Sequence, residues 1–222
     1  MAPTEAEQRV LVKVWDWPTR VLHWTNMTLI LGLILLHFIA EFGEEYLKID
    51  EDLLEPVNKL HAVLGHVLIL TVFLRIAWGF FGNQYARFSD MMPIRSRQRQ
   101  AIIKNIKWYL GGFRGEPAEA KGHDPLASIF YVILFIVLIL MSFTGLVLSG
   151  TEFEFWPGAW IAGLFGNAEA IEGIAEEAHE AGFFYMIFFI AAHMVGLVVH
   201  ELKAKTGLFS SMIHGGKYFP VE

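Results

Sequence analysis

The chain has 222 residues, of which 55% are apolar and 18% charged, whereas a soluble domain carries about 45–50% apolar and roughly a quarter charged residues. The apolar excess argues against an ordinary soluble enzyme or a disordered chain, and the formal net charge of −6 argues against nucleic-acid binding. Because cysteine is absent, disulfides, iron–sulfur clusters, thiolate metal sites and covalent haem attachment through C-x-x-C-H are excluded.

Four nearly uncharged windows follow one another along the chain. Each is about 20 residues long, which as a helix crosses about 30 Å of hydrocarbon. The sequence therefore predicts an all-α membrane protein in which four transmembrane helices form a bundle within a single domain, 1–222. The predicted spans are 20–40, 61–81, 127–149 and 181–200. The residues before the first span lack the features of a signal peptide, so we expect this span to be retained.

Basic and acidic residues alternate between the segments that flank these spans. Segment 1–20 and the tail after the fourth span each carry three Lys or Arg, and the 82–126 connection carries eight. Segments 41–60 and 151–178 are rich in Asp and Glu instead. The positive-inside rule then places both termini and the 82–126 connection in the cytoplasm. The acidic segments face the opposite side, where they suit a basic soluble partner.

Within the 82–126 connection, residues 95–110 show helical periodicity. One face carries the apolar side chains and Arg and Lys surround it, the apolar set being Ile102, Ile103, Ile106 and Leu110. This pattern predicts an interfacial amphipathic helix between spans two and three, lying on the inner membrane surface and ended by Gly111 and Gly112.

Histidines are the candidate chemical groups, because a titratable side chain in hydrocarbon is costly and indicates function. His179 and His193 are 14 residues apart on the fourth span, so they share a face about 21 Å apart in depth. The span directions bring His23 to the depth of His193 near the inner surface, and His61 to the depth of His179 near the outer one. Two facing imidazoles at each depth suit bis-His coordination of haem iron inside a bundle.

Other residues leave alternatives open. His37 also follows His23 by 14 residues, so the first span could supply both partners of the fourth-span histidines. His66 is rotated by about 140° from His61 around the helix, and we do not expect it to be a ligand. Four glycines would leave room either for a flat macrocycle or for ordinary close packing of helices, namely Gly32, Gly65, Gly145 and Gly196.

Four motifs of this sequence resemble the bacterial cytochrome b561 family, and are similar to the b-type cytochrome subunits of nickel–iron hydrogenases and formate dehydrogenases. They are RVLHW (20–24), His61-x-x-x-Gly65 followed by Arg75-x-x-Trp-Gly, GHDPL (122–126) and HEAG with a second histidine (179–193). The resemblance covers about 13–217. It implies two b haems in a four-helix core, in a bacterial inner membrane, passing electrons between quinone and a periplasmic or bound redox partner. Its axial ligands fall on His23, His61, His179 and His193, which favours His61 over His37.

Charged and titratable residues near the span ends are further candidate site residues. Arg75 and Arg20 lie in or beside spans and are candidates to contact haem propionates. Alternatively, the Arg75 side chain extends to a lipid phosphate, and Arg20 is a simple interfacial anchor. Quinone is expected near the inner haem, because quinone chemistry moves protons and titratable groups gather there. These groups are His123, Asp124 and His200. Alternatively, Asp124 only caps the third span, and His123 and His200 are simply solvated.

Three functions are compatible with these patterns. The first is an electron-transfer subunit of an oxidoreductase system, linking the quinone pool to a periplasmic protein such as cytochrome c or a hydrogenase- or dehydrogenase-type subunit. The second is a stand-alone quinone-linked oxidoreductase that reacts with superoxide or a ferric chelate at the outer haem. The third is a non-haem transporter, for which Asp or Glu within the spans would be expected. The resemblance favours the first and leaves the oligomeric state open.

Overall fold

The computed structural model describes residues 9–92, 96–115, 118, 121–166 and 168–220. Its elements in chain order are β1 (Arg9–Lys13), α1 (Trp17–Glu45), α2 (Glu51–Phe81), α3 (Phe88–Met91), α4 (Ser96–Leu110), α5 (Pro125–Phe153), α6 (Gly158–Gly163), α7 (Ala168–Ala204), α8 (Leu208–His214) and β2 (Gly216–Pro220). The long helices α1, α2, α5 and α7 are each long and apolar enough to cross a membrane. The prediction of four helical spans is confirmed.

These four helices extend beyond the apolar windows, with lengths of 29, 31, 29 and 37 residues. Polar residues outside the windows set their starts. Asp16 accepts a hydrogen bond from the backbone N–H of Thr19 at 3.0 Å before α1, and Asp50 accepts one from the N–H of Asp52 at 3.2 Å before α2. Such caps satisfy amide groups that have no partner within the first helical turn.

Large apolar side chains point away from the protein on all four long helices. Leu35, Phe73, Ile136 and Phe184, one from each helix, are 59–64% exposed. Contact with water would cost about 25 cal/mol for each Å² of such surface. Lipid tails remove this cost, so the exposed faces suit hydrocarbon.

Contacts divide the described chain into two compact units. The first comprises the described residues of Met1–His23, Ile76–Ile133 and Phe189–Glu222. In this unit β1 and β2 pair antiparallel, from Arg9 opposite Pro220 to Lys13 opposite Gly216. The purely helical prediction missed this sheet, because its two strands are roughly 200 residues apart and local periodicity does not report long-range pairing.

The second unit comprises Trp24–Arg75 and Leu134–Phe188. It contains a small apolar core of Val147, Ala162 and Ala175, which joins the end of α5 to α6 and the start of α7. This core packs the connection between α5 and α7 against both helices.

The amphipathic segment forms helix α4, although Arg95 lies outside the described residues. Ile103, Ile106 and Leu110 are exposed, as expected for an apolar face turned outward. Ile102, at the edge of this face, differs from that expectation, because it is buried in a stripe with Asn105 and Trp108. The helix is therefore shown, and its position on the membrane surface stays a prediction.

Candidate functional site

His61 on α2 and His179 on α7 face each other within the second unit. Their ring centroids are 6.4 Å apart and their planes are inclined by 67°. Metal–imidazole bonds are about 2 Å long, so two imidazoles on opposite sides of one metal ion have ring centroids about 6 Å apart. The residues present therefore fit a metal held between these two rings, as in bis-His haem.

Helix α5 contacts the His179 ring from the side. The hydroxyl oxygen of Thr144 lies 2.9 Å from Nδ1 of His179. At the next residue, a Cβ added to Gly145 would lie 3.3 Å from Cε1 of His179. Gly145 thus makes room for the imidazole itself, a closer role than the macrocycle contact considered from the sequence.

The two other histidines of the second unit have different neighbours. His37 pairs through Nε2 with Glu41 at 3.2 Å, and its ring lies 4.6 Å from that of Phe183. Nδ1 of His66 is 2.8 Å from the carbonyl oxygen of Ala62, one turn earlier on the same helix. Each of the two rings thus contacts a polar group on its own helix.

His193 on α7 lies within the first unit, as does His23 on α1. The ring of His193 stacks on Phe189 with centroids 5.7 Å apart. The hydroxyl of Tyr131 on α5 is 3.4 Å from Nδ1 of His193. The pairing of His23 with His193 stays a prediction.

Three of the four glycines noted in the sequence border open space. A Cβ added at Gly32, Gly65 or Gly196 would meet no atom within 4 Å. These three positions thus have no neighbouring helix packed against them, and their role beside a macrocycle stays a prediction.

Asp124 holds together a buried polar cluster in the first unit. Its Oδ1 accepts hydrogen bonds from the backbone N–H groups of Leu126 and Ala127, both at 2.9 Å, and so caps α5. Its Oδ2 accepts a 2.6 Å hydrogen bond from Nδ2 of Asn105 and lies 3.7 Å from Nε2 of His200. The carboxylate therefore caps a helix and also contacts a titratable side chain.

His123 and His200 are not solvated in the way the sequence alternative assumed. Each of these side chains is only 12% exposed. Nδ1 of His123 is 3.6 Å from the carboxylate of Asp90, and its ring lies 5.0 Å from that of Trp15. Each of the two histidines thus faces a carboxylate.

Lys217 on β2 is buried beside the same motif. Its Nζ donates a 2.7 Å hydrogen bond to the carbonyl oxygen of Gly122 and lies 5.1 Å from the ring centroid of Trp15. Burial lowers the pKa of Lys217 to about 8, although Asp124 and Asp90 favour its charged form. Burial also raises the pKa of Tyr109 on α4, and the negative charge of Asp124 raises it further.

The two arginines have intramolecular contacts. Arg20 donates a hydrogen bond to the carbonyl oxygen of Ile213 in α8. The guanidinium of Arg75 lies 5.4 Å from the ring centroid of Phe135. Arg20 thus joins α1 to α8, and contact of either residue with a propionate stays a prediction.

Four polar residues of these clusters were not identified as site residues from the sequence, namely Asn105, Tyr131, Thr144 and Lys217. A buried stripe at three-residue spacing would have indicated Asn105, since it lies midway between Ile102 and Trp108. No local pattern marks the other three, because their roles depend on which helix or strand packs beside them.

Comparisons with known proteins agree with this arrangement. A model of the family described as prokaryotic cytochrome b561 matches residues 14–215. A probable Ni/Fe-hydrogenase B-type cytochrome subunit of Azotobacter vinelandii is 25% identical, over 97% of this chain and 92% of its own length. The similarly named subunit of Rhizobium leguminosarum bv. viciae is 26% identical, over 97% of this chain and 92% of its own length. The probable Ni/Fe-hydrogenase 1 B-type cytochrome subunit of Escherichia coli K12 is 22% identical, over 91% of this chain and 88% of its own length.

The family match runs from just before α1 to just after α8 and so includes all four long helices. The apolar helices and the family match agree on a multi-pass membrane protein, and the match and the names of the relatives indicate haem b and electron transport. The chain belongs to the prokaryotic cytochrome b561 family.

Proposed function

We propose that this protein is a dihaem b-type cytochrome of the bacterial inner membrane. It transfers electrons across the bilayer between the quinone pool and a redox protein on the periplasmic side, as the membrane subunit of a hydrogenase-type complex. The names of the similar proteins support the hydrogenase partner. Residues 1–222 would form one membrane domain.

The observation that carries the proposal is the facing pair of His61 and His179. Haem, when bound, supplies reversible one-electron chemistry at its iron. The chain would hold one haem through the imidazole nitrogens of His61 and His179 and the other through those of His23 and His193. The surrounding apolar helices exclude water, which raises the electrostatic effect of each nearby charge.

Replacement of single histidines tests the ligand assignment. His61→Ala should lower the haem content from two to one per chain, because the bis-His pair loses a ligand. His37→Ala is the matched control and should retain both haems, since His37 is engaged with Glu41 and Phe183. Haem content and a reduced-minus-oxidised optical spectrum of the purified protein measure the result. Loss of a haem in His37→Ala but not in His61→Ala would overturn the assignment.

The charge pattern supports an orientation with both termini, α4 and the Asp124 cluster on the cytoplasmic side. A reporter that works only in the cytoplasm should be active when fused after Glu222 and inactive when inserted within 151–178. The opposite pattern would invert the orientation and would place the His61 and His179 pair at the cytoplasmic side.

Quinone is proposed to react beside the Asp124 cluster. Reduction of a quinone consumes two protons with two electrons, and the transfer of each proton needs a group within hydrogen-bond reach or linked by one water. His200 and Asp124 lie 3.7 Å apart and His123 and Asp90 lie 3.6 Å apart, so two histidine–carboxylate pairs are available to deliver protons.

Asp124→Ala tests this site. The variant should slow oxidation of the haems by a soluble quinone analogue while haem content stays unchanged. Asp50→Ala is the matched control, because Asp50 also accepts a backbone hydrogen bond at a helix start but belongs to the other unit. Normal quinone kinetics in Asp124→Ala would exclude this cluster as the quinone site.

A further inference from the structure

We propose that Thr144 is a positioning residue for the haem held by His61 and His179: its hydroxyl fixes the tautomer and orientation of the His179 ring. The inference rests on the proposed ligand role of His179.

The Thr144 side chain is buried, at 4% exposure, and lies among three polar groups. Its Oγ1 is 3.1 Å from the carbonyl oxygen of Leu140, 3.2 Å from that of Met141 and 2.9 Å from Nδ1 of His179. Carbonyl oxygens only accept hydrogen bonds, and a hydroxyl has a single proton to donate.

The single hydroxyl proton of Thr144 decides which atom donates in its hydrogen bond with Nδ1 of His179. The hydroxyl proton of Thr144 goes to the helix carbonyls one turn earlier, a common arrangement for threonine in helices. With this arrangement its oxygen accepts a hydrogen bond from Nδ1–H of His179. In a neutral imidazole this leaves the lone pair on Nε2, which is the nitrogen free to bind iron.

Gly145 completes the contact between α5 and His179. Any side chain at this position would meet the ring, since a Cβ would lie 3.3 Å from Cε1 and 3.8 Å from Nδ1. The absence of a side chain allows the imidazole to approach α5 closely enough to reach the Thr144 hydroxyl. Thr144 and Gly145 thus contribute to the position and rotation of the ring, together with the backbone carbonyl of Met141, which also hydrogen-bonds to it.

A hydrogen bond from the far nitrogen of a ligand histidine raises the basicity of the ligating nitrogen and fixes the ring, and its loss typically costs 10–100-fold in metal affinity. A more basic ligand stabilises ferric iron relative to ferrous iron. Removal of the Thr144 hydroxyl should therefore raise the midpoint potential of this haem and leave the other haem unchanged.

The experiment compares three variants of the full-length haem-loaded protein. Thr144→Val removes the hydroxyl and retains the shape, and Thr144→Ser restores a hydroxyl. Ser142→Ala is the matched control, because Ser142 on the same helix donates to the carbonyl oxygen of Leu138 at 2.7 Å. Potentiometric titration of the optical bands, electron paramagnetic resonance of the ferric haems and haem content are the readouts. His61→Ala identifies which signals belong to this haem.

In Thr144→Val the ratio of reduced to oxidised haem at a fixed potential should rise about tenfold, which is 59 mV for a one-electron couple. Thr144→Ser and Ser142→Ala should keep the native potential and resonance signals. If Thr144→Val instead loses this haem, retention of the haem at its native potential in Thr144→Ser supports the proposal, and loss or a shifted potential in Thr144→Ser overturns it.

An unchanged potential in Thr144→Val, or an equal shift in Ser142→Ala, would also overturn the role of Thr144. These results leave the proposed function intact as long as His61→Ala still loses one haem. Retention of both haems in His61→Ala would instead refute the ligand assignment on which the inference depends.

Discussion

Replacement of Asp124 by Asn exchanges one carboxylate oxygen for an NH₂ group, and this small change should destabilise the protein. The carboxylate presents two acceptors, one to the N–H groups that begin α5 and the other to the Asn105 amide. An asparagine presents only one acceptor, so in either orientation its NH₂ group faces another donor. Asn105 is fully buried, and a buried donor without a partner costs about 1–3 kcal/mol.

The loss should lower the unfolding temperature of the purified protein by several degrees, since 1 kcal/mol corresponds to about 2–4 °C in a protein of this size. Thermal unfolding followed by haem absorbance measures this. Asn105→Asp should also destabilise, because it places a second carboxylate beside the first.

The double variant Asn105→Asp with Asp124→Asn exchanges the two groups and restores complementary partners. The new amide at position 124 would accept from the start of α5 and donate to the new carboxylate at position 105. That carboxylate can still accept the 2.6 Å hydrogen bond that the backbone N–H of Ala118 donates to the side chain of residue 105. The double variant should therefore be more stable than the sum of the two single changes by about 1 kcal/mol or more. Additive losses would refute this account of the cluster.

Two further predictions concern other buried contacts. Burial lowers the pKa of Lys217 from its ordinary 10.5 to about 8. Between these two pH values the unfolded chain binds more protons than the folded one. The free energy of unfolding should therefore rise with pH across this range, by about 3 kcal/mol in total. Denaturation at several pH values should show that Lys217→Met lacks this rise, and an equal rise in both proteins would contradict the assignment. Gly145→Ala should weaken binding of the haem at His179, because the added methyl group meets the ring. Gly173→Ala on α7, where a Cβ meets nothing within 4 Å, should bind haem normally, and equal haem loss in both would exclude this cause.

The sequence predicted the parts of the fold that depend on composition within short windows. Uninterrupted apolar residues located α1, α2, α5 and α7, because hydrocarbon selects them independently of their neighbours. The helix ends were less accurate: α7 begins at Ala168, 13 residues before its predicted span, since polar and acidic turns continue the helix outside the apolar window. The β1–β2 sheet was missed because each strand is short and its partner is distant.

The candidate site shows a similar division. The rise per residue of a helix, with the direction of each span, predicted that His61 and His179 lie at the same depth in the membrane. In the structure their ring centroids are 6.4 Å apart. Thr144 and Lys217 were not predicted, because spacing within one helix does not specify the rotation of its neighbour. The roles of His23, His61, His179 and His193 as haem ligands stay predictions that the variants above test.

The pairing of β1 with β2 constrains the order in which the protein is assembled during synthesis. Residues 9–13 are synthesised long before their partner residues 216–220, and all four long helices are made in the interval. Contacts between residues so distant in sequence form slowly, because the loop between them must close first. Lys217 lies on β2 and donates a hydrogen bond to the carbonyl oxygen of Gly122. The buried amine of Lys217 therefore joins the Asp124 cluster only after β2 has been synthesised. The helices therefore reach the membrane before the cluster that we assign to quinone is complete.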